Sequence, residues 1–137
     1  MKKCILLLTV IGCFLAGCDN EIYRWEFSYE CDYVKGIYIV EAEDAYTYSH
    51  IKEIDIKQVE EVYADISNLD MKRYGPISSL GTPYGICIVV MFHNGEYDII
   101  ARKESMHIKL EEDRLIGYTS WLYCDNEQFD ALIEKYA

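Results

Sequence analysis

The sequence predicts an α+β fold: an antiparallel sheet of about five to six strands with two amphipathic helices packed on it, in the order β-β-α-β-β-β-β-α. Three observations carry this expectation. Residues 23–33 alternate aromatic and polar side chains, Asn94-Gly95 divides two apolar runs as a hairpin turn does, and Asp55 and Asp125 each open a stretch of helical periodicity.

In the first of these, Tyr23, Trp25, Phe27, Tyr29, Cys31 and Tyr33 hold the odd positions, and Arg24, Glu26, Ser28, Glu30 and Asp32 the even ones. An extended chain sends the two sets to opposite sides. The aromatic row reads as the core face of a half-buried strand, in preference to a strip stacking on sugar rings. Lys35-Gly36 reads as a turn, Ile37–Ala42 as a second strand and Glu43–Ser49 as a loop. Asp55 and Gln58 then have capping-box spacing, and Ile54 and Val59 can form the hydrophobic staple around it. Ile56, Val59, Val62, Tyr63, Ile66 and Leu69 recur at helical spacing and make one apolar stripe. Asn68–Gly85 holds both prolines and reads as the longest irregular stretch.

The apolar runs Ile86–His93 and Glu96–Lys103 flank Asn94-Gly95, the pair favoured in a type I′ turn, where both central residues need positive φ. A two-residue loop would set His93 against Glu96, Phe92 against Tyr97, Val90 against Ile99 and Ile88 against Ala101. The face with Phe92, Val90 and Ile88 is expected to meet the core. The face with His93, Glu96, Met91 and Asp98 is mixed and expected to be partly exposed. Met106, Ile108 and Leu110 alternate with polar residues, Glu112-Asp113 turns the chain, and Arg114–Cys124 reads as a further strand. Asp125 and Gln128 repeat the capping-box spacing, followed by the stripe Phe129, Leu132, Ile133 and Tyr136.

The N-terminus is of a different kind. Met1-Lys2-Lys3 is followed by twelve almost wholly apolar residues, Cys4–Leu15, too few to span ~30 Å of hydrocarbon as a helix. Their length fits the apolar region of a secretory signal peptide. The segment ends in Leu15-Ala16-Gly17-Cys18 and turns polar at once with Asp19-Asn20-Glu21. This resembles the lipobox of bacterial lipoproteins. The resemblance implies cleavage after Gly17, diacylglycerol on the Cys18 thiol, and a protein held by acyl chains at a membrane of the bacterial cell envelope. The earlier Val10-Ile11-Gly12-Cys13 is the weaker match, since it would strand apolar Phe14-Leu15 beyond the cut. The expected organisation is therefore a signal peptide over 1–17, a short linker over 18–22 and one globular domain over 23–137.

Charge narrows the partners. Of 13 basic residues Lys2 and Lys3 lie in the leader, so the mature chain opposes 11 bases to 24 acids, a formal charge of −13. Such a domain is repelled by nucleic acid, which excludes DNA and RNA as expected partners, and it attracts basic protein surfaces. Membrane attachment then has to come from the lipid. Cys31, Cys87 and Cys124 remain after processing, enough for one disulfide in an exported protein, or three buried thiols.

Chemical motifs are sparse. Neither a phosphate-binding glycine loop nor a G-x-S-x-G elbow occurs, and His50, His93 and His107 lack metal-ligand spacing, so no cofactor or metal is expected. Carboxylates cluster at Glu41, Glu43 and Asp44 and at Glu111–Asp113, a pattern that solvated turns also produce. His93 beside Glu96 could serve acid–base chemistry or simply form a solvated contact. Ser78-Ser79-Leu80-Gly81-Thr82-Pro83-Tyr84 has S-x-x-G-x-x-Y spacing. It resembles the inhibitory loop of small lipid-anchored lysozyme inhibitors, which implies Ser78 and Tyr84 entering a lysozyme cleft. That family is an all-β barrel, from which the two helix signatures here depart. The expected function is a non-catalytic binding module, with Ser78, Tyr84, Met91, His93 and Glu96 as candidate contact residues.

Overall fold

The computed structural model describes residues 21–73, 81–124 and 126–137. Ser78, Cys18 and Asp125 lie outside them. The chain forms β1 (Val34–Ala42), β2 (Tyr48–Glu53), α1 (Val59–Ser67), β3 (Met71–Arg73), β4 (Gly85–Phe92), β5 (Tyr97–Ile100), β6 (Met106–Glu111), β7 (Arg114–Thr119), β8 (Leu122–Cys124) and α2 (Asn126–Tyr136). Six strands make one antiparallel sheet in the order β2-β1-β4-β5-β6-β7, and β3 and β8 make a separate two-stranded ribbon. The α+β class is as the periodicities predict.

Both helices fill the same side of the sheet. Val59, Val62 and Ile66 of α1 and Phe129, Leu132 and Tyr136 of α2 bury against Ile37, Ile39, Ile88, Val90, Phe92 and Ile100. Asp55 does start the first helical segment, accepting the Lys57 amide at 2.9 Å, but the first turn, Ile56–Gln58, is a 3-10 turn. That tighter winding throws Ile56 out of the stripe; it is exposed. Ile54 and Val59, the expected staple, are both buried. Gln128 turns its side chain away from its own helix: its Oε1 accepts the Asp70 amide and its Nε2 donates to the Asp70 carboxylate, both at 2.9 Å.

Residues 23–33 correct the strand expectation. Trp25 is buried and Tyr23, Phe27, Tyr29 and Cys31 pack on the core, so the alternation is that of an extended chain with its odd side inward. The segment is nevertheless no strand of the sheet. Its ladder contact is a single bridge between Tyr23 and Met71, and it ends in a 3-10 turn at Cys31–Tyr33. The strand pair at this end is instead β1, begun three residues before the predicted one, and β2, an edge strand of mostly exposed residues whose polar sequence hid it. The predicted strand 114–124 is broken at Trp121, where φ is +60°, so that β8 can leave the sheet and pair with β3.

The hairpin register also differs. Gly95 N–H bonds to the Phe92 carbonyl at 3.1 Å, and the Phe92 amide bonds to the Glu96 carbonyl at 2.9 Å. The loop is thus three residues, His93-Asn94-Gly95, with only Gly95 at positive φ (+88°). The type I′ signature lies at Glu112-Asp113 instead, with φ of +49° and +61° between the paired Glu111 and Arg114. One extra loop residue changes every facing pair. Ile88 now faces Ile100, Val89 Ile99, Val90 Asp98 and Met91 Tyr97. Nor is either hairpin face open. The helices cover one, and the second core, which includes Val40, Ala45, Val89, Tyr97, Ile99 and Ile108, covers the other.

Candidate functional site

The register shift carries an acid into the core. Asp98 and Ile100 share one face of β5, with Glu96 just before the strand on the same side, beneath the extended segment 23–29. Beyond Tyr23 that segment has no sheet partner among the described residues, so its backbone needs other acceptors. Asp98 provides one for the Ser28 amide, and both acids take side-chain donors of the segment. The Asp98 carboxylate, fully buried, accepts the Ser28 amide at 2.9 Å and the Trp25 indole N–H at 3.3 Å on Oδ2, and the Ser28 hydroxyl at 2.5 Å on Oδ1. Glu96 accepts the Tyr29 hydroxyl at 2.7 Å and the Leu110 amide at 3.1 Å.

His107 completes the first cluster. It lies on β6 directly opposite Asp98, with Nδ1 2.8 Å from Oδ1 and 3.0 Å from the Ser28 hydroxyl. The acceptor-only carboxylate assigns the imidazole proton to Nδ1. Trp25 stacks on the imidazole, with ring centroids 4.5 Å apart and planes within 22°. Among the described residues Nε2 has no hydrogen-bond partner.

Two shallow clefts open on either side of this imidazole. One, of about 320 Å³, lies between Tyr23, Arg24, Arg73, Ser120 and Leu122; the other, of about 310 Å³, between Phe27, Ser28, Lys109 and Tyr118; Glu26 borders both. The site thus presents an oriented imidazole edge, stacked on the buried Trp25 ring, and side chains of both charges. A hydrolytic relay would need the serine on the nitrogen opposite the acid. Here Ser28 and Asp98 share Nδ1, and the serine proton points at the acid. The arrangement clasps segment 23–29 to the sheet and holds His107 as a fixed hydrogen-bonding group.

The residues expected to form the site are dispersed. His93 and Glu96 do not face one another, because the three-residue loop pairs Glu96 with Phe92. His93 is exposed, its ring edge against Tyr33. Glu96 is buried, with Lys109 at 3.6 Å. Burial works against its charge, but the Tyr29 hydroxyl, the Leu110 amide, Lys109 and Asn94 outweigh it and hold the carboxyl below its usual range. Met91 sits half-buried on the second core, opposite Tyr97. Tyr84 is exposed under the Lys103 ammonium, 4.8 Å from the ring centre. Cys31, Cys87 and Cys124 form no disulfide among the described residues; burial pushes Cys87 up to about 12.

Sequence reasoning missed His107, Asp98 and Ser28 as a group. The one available signal was an acid inside the apolar run Tyr97-Asp98-Ile99-Ile100, which a central strand tolerates only with partners. Among the described residues no cluster of three or more His, Cys, Asp or Glu could hold a metal ion, and no helix is long and apolar enough to cross a membrane. Comparison with protein-family models, with curated proteins and with solved structures found no match.

Proposed function

We propose that this chain is a non-catalytic binding module, tethered to a bacterial envelope membrane through acylated Cys18, that takes a protein partner at the clefts flanking His107. The observation that carries the reading is the Asp98 clasp. It commits the Ser28 hydroxyl and Nδ1 of His107 to a buried carboxylate and leaves the Nε2 edge at two open clefts. Such a rigid polar edge beside aromatic faces suits recognition of a polypeptide surface. The acidity of the chain favours a partner with basic residues around that contact.

Two experiments test the two halves of the proposal. Cys18→Ala in the full chain is expected to abolish fatty-acid labelling and membrane fractionation; labelled, membrane-bound Cys18→Ala protein refutes the anchor. For the site, a photo-crosslinking residue placed at Tyr118, on the cleft, is compared in cells with one at Ile51, on the exposed β2 edge. A discrete adduct is expected from position 118 and not from 51, and His107→Gln should diminish it. Equal adducts from both positions, or an adduct indifferent to His107→Gln, refute the cleft.

A further inference from the structure

His107 and Glu26 border both clefts. Asp98 holds the proton of the neutral imidazole on Nδ1, so Nε2 keeps its lone pair and accepts. Glu26 is exposed, and its carboxylate has no hydrogen-bond or ion-pair partner among the described residues. Both groups call for a donor. The two clefts differ in the charge around them. The first is bordered by Arg24 and Arg73, and among the described residues Asp70 pairs only with Arg24. The second is backed by acids. Ser28 and His107 both bond the buried Asp98, Lys109 lies 3.6 Å from the buried Glu96, and the Tyr118 hydroxyl donates to Glu111. With Glu26, these acids outnumber the two cations on this side, Lys109 and Arg114, the latter opposite Glu111 on β7. Lys109 is already engaged, by Glu96 and by the face of Tyr29, with its ammonium 4.9 Å from the ring centre.

We propose that this second cleft seats an arginine side chain of the protein partner, its guanidinium donating to Nε2 of His107 and to the Glu26 carboxylate. This rests on the binding site proposed above and names the group that the site recognises. Three features of a guanidinium match the cleft. Its N–H groups form a planar fork that serves two acceptors at once. Its charge answers the excess of carboxylates around Ser28, His107 and Tyr118. Its flat face can stack on the Tyr118 ring, which is 44% exposed at the cleft. A lysine ammonium matches the charge but lacks the planar fork. The first cleft turns the cation away, because the unpaired charge of Arg73 stands there.

The test uses the full chain in detergent micelles, with its histidines isotopically labelled on the ring nitrogens and read by NMR at about pH 8, where a free imidazole is neutral. The protein has three histidines, and His107→Gln identifies the resonances of the third. The probe is Nα-acetylarginine amide. It is compared with the citrulline analogue, which keeps the shape without the charge, and with the lysine analogue. Arginine is expected to shift Nε2 of His107 saturably and to leave His50 and His93 unmoved. Citrulline and lysine should bind more weakly. Glu26→Gln, at an exposed position, should weaken arginine binding about tenfold, the cost of one charge-assisted hydrogen bond. No saturable shift, citrulline or lysine bound as tightly as arginine, or an affinity indifferent to Glu26→Gln refutes the arginine seat. The photo-crosslink from position 118 separates the two readings. If that adduct forms and needs His107 while the arginine probe gives one of the refuting results, the binding site stands and the arginine seat is refuted. If no adduct forms at 118, the binding site fails and this inference falls with it.

Discussion

Replacing Asp98 tests whether one buried carboxylate holds the entry segment to the sheet. Its four hydrogen bonds come from the Trp25 indole, the Ser28 amide, the Ser28 hydroxyl and Nδ1 of His107. In Asp98→Asn the amide oxygen can keep the indole and the Ser28 amide. Its NH₂ then faces two groups able to turn acceptor, a hydroxyl and the other imidazole tautomer. Only charge assistance is lost, about 1–2 kcal/mol. Asp98→Leu keeps the volume but strands the donors. Ser28 and His107 border the clefts and can recover water, whereas the Trp25 indole is enclosed. One unsatisfied donor at about 1–3 kcal/mol, added to about 1–2 kcal/mol for the lost charged bonds, gives a loss of about 2–5 kcal/mol. The assay is urea unfolding followed by tryptophan emission. With a slope of about 2 kcal/mol/M, the leucine variant should unfold about 1–2.5 M earlier than wild type and the asparagine variant between them. A leucine variant as stable as the asparagine one would refute the reasoning, because an apolar core would then replace the clasp without loss.

Two further outcomes follow from local chemistry. Glu96 is held below its ordinary value of 4.5, so its contribution is full above that pH and disappears as pH falls through the lower folded value. Glu96→Gln should therefore flatten the acid limb of stability measured by unfolding between pH 5 and about pH 2, leaving the neutral slope unchanged; an unaltered acid limb contradicts the assignment. Both turns should favour glycine. Gly95→Ala, at φ +88°, should lose about 1 kcal/mol, and Asp113→Gly, at φ +61°, should gain about 0.5 kcal/mol in thermal unfolding. Loss in both would contradict the turn geometry.

Periodicity made the helices legible because each is an amphipathic stripe read along one stretch of chain, from Val59 to Leu69 and from Phe129 to Tyr136. It also made legible which side of residues 23–31 is buried. It could not show that those residues would lie across the sheet instead of inside it, since an extended chain has the same alternation in either place. Strand β2 escaped notice for the converse reason: an edge strand exposed on most positions has no alternation to display. The candidate site was the least visible part. Asn-Gly is compatible with both two- and three-residue hairpin loops, and that single residue decided whether Asp98 sat beside Met91 or faced the Trp25 segment.

What this sequence determined by itself is what local pattern and composition can carry: the α+β class, the two helices, the turn at Glu112-Asp113, and an acidic balance of charge. What only the tertiary structure decided is which polar groups meet. Ser28, Asp98 and His107 stand 70 and 9 residues apart, and they converge because an extended segment without ladder partners had to find acceptors for its buried donors. That demand is set by long-range packing, and no local window of sequence contains it.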